Sequence, residues 1–191
     1  MSFDVSVISS KNILLAVTGG IAAYKSAILV RRLKDYGFNV RVVMTHGAQA
    51  FITPLTFQAL SGNPVHTELL NPEAEAGMGH IELARWADLL LVAPASCDTL
   101  AKFAHGLADD LLSTLYLATK APVWVAPAMN QQMWAAKATQ RNLQILVEDG
   151  VHVVMPEAGS QACGDVGLGR MPEPEHLAEQ VKLYFHQTQR A

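Results

Sequence analysis

This sequence has few features that would crosslink it, anchor it or give it a strong charge. Cys97 and Cys163 are its only cysteines. Two cysteines and no signal peptide rule out a disulfide framework and lead us to expect a reducing, cytoplasmic setting. Met1–Ser10 has no basic stretch and includes Asp4, so it reads as a frayed lead-in up to about residue 11. No long apolar run is present. The chain is uncharged between Lys11 and Lys25, but Gly19 and Gly20 interrupt it, and a membrane span needs about 20 apolar residues. Basic excess is absent too: 14 Lys and Arg against 17 Asp and Glu give a net charge of -3, which argues against a nucleic-acid partner. There is no internal repeat, no low-complexity segment and no metal-ligand pattern.

Half of the 191 residues are apolar, enough for one domain with a sizeable core. Asn12–Val17 is a continuous apolar run, as in a parallel strand buried on both faces. Val40–Met44, Leu89–Ala93, Val123–Ala126 and Val151–Met155 repeat the signal. Helical spacing follows over about Ala22–Tyr36, Pro54–Ser61, Leu100–His105, Leu111–Ala118, Trp134–Asp149 and Pro174–Arg190. Strands alternating with helices predict an α/β fold, a three-layer, doubly wound parallel sheet of flavodoxin or Rossmann-like type. A flavodoxin-like strand order of 2-1-3-4-5 would open its ligand crevice between the first and third strands.

Three loops would converge there. Thr18-Gly19-Gly20 follows the first strand and precedes a helix, a cradle for a phosphate or cofactor. Ala22 stands where a dinucleotide fingerprint would want a third glycine, and no Gly-Lys-Ser/Thr follows. The turn therefore either holds an anion or simply reverses the chain. Pro94–Thr99, with Ser96, Cys97, Asp98 and Thr99, exits the third strand. Ala126–Trp134 exits the fourth and carries Asn130, whose amide either holds a carboxylate or caps the next helix. Thr45 could cap a helix or bind phosphate, and Phe51 could stack on a flat ring or join the core. His80 follows the loop Asn71–Gly79 and is the one histidine of seven set to reach a cleft. Glu157–Pro172 reads as a mobile, glycine-rich loop that folds over a ligand, and Cys163 within it suits chemistry better than packing.

Taken together, Gly19-Gly20-Ile21-Ala22-Ala23, Gly79-His80-Ile81-Glu82-Leu83, Pro94–Thr99, Pro127-Ala128-Met129-Asn130 with Met133-Trp134, and Ala162-Cys163-Gly164 resemble the homo-oligomeric flavin-containing cysteine decarboxylases. The resemblance spans about Lys11 to Met171. It is strongest to the members that act on phosphopantothenoylcysteine in coenzyme A biosynthesis. It implies bound FMN, contacted by Gly19, Gly20, Ile21, Thr45, Phe51, Ser96, Cys97, Asp98, Thr99 and Ala128. His80 would be the active-site histidine, Asn130 would bind the substrate carboxylate, and Ala162, Cys163 and Gly164 would form a substrate-covering flap with Cys163 as proton donor. Many members carry Asn where Asp98 stands. The implied chemistry oxidises the substrate thiol to a thioaldehyde, which acts as an electron sink for loss of carbon dioxide. Cys163 then protonates the enethiolate, and hydride return gives phosphopantetheine.

The resemblance also implies a homotrimer or dodecamer of trimers, with FMN near a subunit boundary. In many bacteria the decarboxylase is fused to a phosphopantothenate–cysteine ligase, so residues 1–191 read as one decarboxylase domain, either a whole protein or the amino-terminal part of a longer bifunctional chain. Competing readings are a peptidyl-cysteine decarboxylase and a non-catalytic flavin-binding regulatory protein. A flavin prenyltransferase shares the fold, but the Asn130 and Cys163 motifs count against it.

Overall fold

The computed structural model describes residues 11–69 and 79–188. The lead-in 1–10 and most of the predicted loop, 71–78, lie outside the described residues. The first strand, β1 (Asn12–Val17), is followed by helix α1 (Ala23–Asp35), strand β2 (Asn39–Met44), helices α2 (His46–Gln49) and α3 (Pro54–Ser61), and the short strand β3 (Val65–His66). Then come α4 (His80–Trp86), β4 (Leu89–Ala95), α5 (Cys97–Ala104), α6 (Leu111–Ala118), β5 (Val123–Pro127), α7 (Gln131–Ala135), α8 (Lys137–Glu148) and β6 (His152–Val153). A hairpin of β7 (Glu157–Ser160) and β8 (Val166–Arg170) leads into α9 (Pro174–Thr188).

Six strands form one sheet in the order β3-β2-β1-β4-β5-β6, every pair parallel. The five predicted strands occur in the predicted order, with β3 added at the edge. Successive residues of β1 and β4 feed opposite faces, as strand periodicity requires. Ile13, Leu15, Leu89 and Leu91 join one core with Leu29 and Leu33 of α1, Phe57 of α3 and Leu177 of α9. Leu14, Ala16, Leu90 and Val92 join the other with Leu83 of α4, Phe103 of α5, Leu112 of α6 and Leu146 of α8. Each fully buried leucine contributes roughly 1.5–3 kcal/mol of transfer free energy, so a sheet covered on both faces dominates the stability.

Four readings of the sequence need correction. Residues 157–170 form an antiparallel hairpin rather than an irregular loop; Gly164 and Gly169 adopt φ of 90° and 135°, a conformation that glycine makes accessible. Trp134–Asp149 is two helices, because Ala136 is extended, with ψ 133°. The predicted strand Val151–Met155 shortens to His152–Val153, with one further bond from the Val154 N–H to the Val125 oxygen at 2.9 Å. The Pro94–Thr99 exit loop is shorter than expected, since β4 runs to Ala95 and α5 begins at Cys97, capped by the Ser96 hydroxyl, which accepts from the Thr99 N–H at 3.2 Å.

The register between β4 and β5 shifts between Val92 and Ala95, which takes the Ala93 and Pro94 carbonyls off the regular ladder. Two buried hydroxyls satisfy them. Ser26 donates to the Ala93 oxygen and Thr18 to the Pro94 oxygen, each at 2.7 Å. Thr18 Oγ1 also accepts from the Ser96 N–H at 2.8 Å. One side chain thereby ties the loop after β1 to the loop after β4. Replacing it with the isosteric valine leaves a carbonyl and an N–H without partners, at a cost of about 1–3 kcal/mol each. Thr18→Val should lower unfolding free energy by about 2–6 kcal/mol in a denaturant titration. A loss under about 0.5 kcal/mol, the range of neutral surface changes, would show that this tie does not hold the two loops.

Candidate active site

The three loops at the carboxyl edge of β1, β4 and β5, together with the hairpin, enclose a cleft of about 500 Å³, a size typical of small-molecule sites. Gly19, Gly20 and Ile21 line it from the first loop, Ser96 and Cys97 from the second, Ala128, Met129 and Asn130 from the third, and Ala162 and Cys163 from the hairpin. The same site was expected to include Thr45, Phe51, His80, Asp98, Thr99 and Gly164, and these do not line it.

Each has an identifiable place. Thr45 caps α2, its hydroxyl accepting from the Ala48 N–H at 3.3 Å. Phe51 is 53% exposed just beyond α2. Thr99 is buried and shares a hydrogen bond of 3.0 Å with the Ser96 hydroxyl. Asp98 turns outward along α5, its carboxylate 3.7 Å from Lys102 Nζ. His80 opens α4, whose helix lies over the opposite sheet face from α1. Gly164 sits in the turn of the hairpin, its N–H bonded to the Gln161 oxygen at 2.9 Å.

Gly19 sits against α2: a β-carbon there would lie 3.1 Å from the Gly47 carbonyl carbon. Gly20 faces open space. No side chain caps α1, a helix of 13 residues; the Ala23 and Lys25 N–H groups bond the Gly20 and Ala22 oxygens at 3.0 Å, so an anion at this end would meet the remaining N–H groups of the first turn. The Cys97 thiol contacts the Thr139 hydroxyl at 3.4 Å.

Asn130 does both of the things its side chain could do. Its Oδ1 accepts from the Gln132 N–H at 2.8 Å and so caps α7. That bond fixes the amide's orientation, because only the oxygen can accept. The Nδ2 group then faces the hairpin turn, donating to Cys163 Sγ at 3.3 Å and to Asp165 Oδ2 at 3.0 Å. The Cys163 thiol in turn donates to Asp165 Oδ2 at 3.5 Å. The Asn130 amide, and after it the Cys163 thiol, hold the Asp165 carboxyl below its ordinary value, so it is ionised at neutral pH. Asp165 is not singled out by the sequence; its only signal there is that it follows the Ala162-Cys163-Gly164 run.

Other bonds hold the hairpin over the third loop. The Met129 N–H donates to the Gly169 oxygen at 2.9 Å, and the Gln131 N–H donates to Gln161 Oε1 at 3.1 Å. Beyond β8, the buried Lys25 of α1 donates to the Met171 oxygen at 2.9 Å and pairs with Glu173 at 2.8 Å. Lys25, Gln161 and Arg170 also line the cleft, and their part in it has no motif signal in the sequence.

The Flavoprotein family profile matches residues 5–186. The chain belongs to the flavoprotein family. Over 178 residues, 93% of the chain, it is 59% identical to the coenzyme A biosynthesis bifunctional protein CoaBC of Vibrio cholerae and 56% identical to that of Escherichia coli. It covers 45% and 44% of those proteins, so it spans a little under half the length of the curated relatives it matches. The fold is also similar to that of a solved cysteine-to-serine mutant of PPC decarboxylase complexed with pantothenoylaminoethenethiol, with a TM-score of 0.82 and 35% identity over 93% of this chain and 99% of that one. The FMN binding protein AtHal3 matches with a TM-score of 0.79 and 35% identity over 93% and 98%.

A methyl group on Gly169 would meet the Met129 carbonyl oxygen, and φ there is +135°. Gly169→Ala should therefore free the hairpin from the third loop, at a cost of about 1–3 kcal/mol. Limited proteolysis should cut within residues 157–170 several-fold faster while the remainder stays resistant. An unchanged cleavage rate would show that this contact does not secure the hairpin.

Proposed function

We propose that the chain binds FMN in this cleft and catalyses oxidative decarboxylation of the cysteine part of phosphopantothenoylcysteine, with hydride return, giving phosphopantetheine. The observation that carries the reading is the meeting of the Asn130 amide with the Cys163 thiol, 3.3 Å apart, at the lip of the cleft. Asn130 offers donors for a carboxylate, and Cys163 offers a proton within reach of the same group.

The residues present suit a flavin. Two small residues, Gly19 and Gly20, let a ligand approach the backbone closely; the start of α1 suits a phosphate; and Ile21, Ala128, Met129 and Met133 provide apolar lining for a flat ring. Gly19, Gly20, Ile21, Ser96, Cys97 and Ala128 would hold it, with Thr99 bracing Ser96. Asp98, its carboxylate turned to Lys102, would contribute through its backbone at the first turn of α5. When bound, the flavin supplies the two-electron oxidation of the substrate thiol and the returning hydride.

The chain supplies orientation and proton control. Asn130 Nδ2 holds the carboxylate that is lost, while its Oδ1 stays committed to capping α7. Ala162, Cys163 and Gly164 cover the substrate and exclude water. The Cys163 thiol gives its proton to the enethiolate left after carbon dioxide departs. His80 acts at the decarboxylation centre; since it does not line this cleft, it would reach one in a neighbouring copy. That requirement supports the expected homotrimer or dodecamer of trimers, with the cleft near a subunit boundary. The exposed apolar side chains of Ile21, Tyr24 and Phe51 support it further. Among the described residues no helix is long and apolar enough to cross a membrane. In longer relatives named as bifunctional, the length beyond this match would carry the ligase.

The test is turnover of the FMN-loaded protein with phosphopantothenoylcysteine against a peptide ending in cysteine. The first should give phosphopantetheine and carbon dioxide, and the second at least a hundredfold less by kcat/KM, about 3 kcal/mol of discrimination. Under anaerobic conditions Cys163→Ser should release carbon dioxide about once per site and stop at the enethiol, because a serine hydroxyl is a far weaker acid than a thiol of pKa about 8.5. Steady production of phosphopantetheine by Cys163→Ser would refute the proton-donor role. Preference for the peptide would favour the peptidyl-cysteine reading.

A further inference from the structure

The Asn130 amide has two N–H donors, and the hairpin's own residues take both: Cys163 Sγ at 3.3 Å and Asp165 Oδ2 at 3.0 Å. A substrate carboxylate can reach that amide only by displacing one of them. An incoming carboxylate placed on the amide beside Asp165 would set two like charges within a few ångströms of each other, and that repulsion would act on Asp165 and not on the neutral Cys163 sulfur. The group displaced is therefore Asp165.

We propose that Asp165 is an internal surrogate of the substrate carboxylate: it holds the Asn130 amide whenever no substrate carboxylate does, ties the hairpin turn over the cleft, and exchanges with the incoming carboxylate. The proposal rests on the assignment of Asn130 as carboxylate ligand made above. Asp165 suits the part. It is exposed and ionised, it sits on a turn closed by backbone bonds from the Gln161 N–H to the Asp165 oxygen at 2.8 Å and from the Gly164 N–H to the Gln161 oxygen at 2.9 Å, and its carboxylate also accepts from the Cys163 thiol at 3.5 Å. Substrate entry thus moves the Asp165 carboxylate off the amide, while Cys163 stays over the cleft. Departure of carbon dioxide removes the competing anion, and Asp165 returns to Asn130 beside the Cys163 thiol.

The experiment compares FMN-loaded wild type with Asp165→Ala. Two probes differ only in the carboxylate: S-methyl phosphopantothenoylcysteine and S-methyl phosphopantetheine, whose blocked sulfur prevents turnover. By calorimetry, Asp165→Ala should bind the carboxylate-bearing probe about tenfold more tightly and the carboxylate-free probe within about twofold of wild type. Asp165→Asn, which keeps an acceptor without the charge, should shift in the same direction by less. Equal shifts for the two probes, or weaker binding of the carboxylate-bearing one, would overturn the exchange of carboxylates. Hydrogen exchange without any probe tests the holding contact separately. The Gln161 and Gly164 amides should exchange several-fold faster in Asp165→Ala while those of β1 keep their rates; unchanged rates would overturn the contact whatever the substrate. If wild type binds neither probe, the substrate assignment of the preceding section fails, and the exchange data still decide whether Asp165 holds the turn.

Discussion

The carboxyl edge of the sheet depends on one buried hydroxyl. Thr18 bonds the Pro94 carbonyl and the Ser96 N–H, and both groups belong to the point where β4 and β5 lose register. A parallel sheet normally spends its backbone groups on neighbouring strands. Here the ladder lapses for two residues, and hydroxyls from the loop after β1 and from α1 fill the gap. The lapse leaves Ala95 and Ser96 placed to start α5 beside the Gly19 turn, and the Ala128 N–H bonds the Ala95 oxygen at 3.1 Å. The three loops that line the cleft are therefore linked to one another by hydrogen bonds, in addition to the strands that carry them.

On that fixed edge sits a mobile-looking sequence that is in fact well tied. The hairpin contains several glycines and would be floppy if isolated, since a lone two-stranded hairpin is marginal in water. It is held at both ends: by the Met129, Gln131 and Asn130 bonds to the third loop, and by Lys25 reaching from α1 to Met171 and Glu173. The positions of Gly167 and Gly169 are set by this docking, because a side chain at either would collide with Gln131 or Met129. The glycines thus serve close approach to the third loop as much as flexibility. A lid anchored this way can open at its turn, where Cys163 and Asp165 sit, without losing its base.

Much of this was legible in the sequence, and the physical reasons are specific. Uninterrupted apolar runs such as Asn12–Val17 and Leu89–Ala93 identify strands buried on both faces, and their alternation with helices limits the topology to a few choices. Gly19, Ser96, Ala128 and Cys163 lie on one cleft because carboxyl-end loops converge at the switch point. What escaped was decided by contacts between distant residues. The Gly-rich stretch 157–170 gives no strand signal of its own, since its pairing is stabilised by docking on Met129 and Gln131. The break at Ala136 has no Gly or Pro to mark it. The outward turn of Asp98 follows from Lys102 four residues on, and the parts played by Lys25 and Asp165 depend on partners 148 and 35 residues away. His80 is a different case: its motif is legible, but the cleft of its own chain does not include it.

These linked loops form the flavin site of a chain of this family. The measurement that bears on it most directly is titration of flavin-free protein with FMN, followed by quenching of flavin fluorescence and by the visible spectrum of the isolated complex. The complex should be yellow, saturate at one FMN per chain and survive gel filtration. A protein that stays colourless and leaves the fluorescence of added FMN unchanged would contradict this assignment.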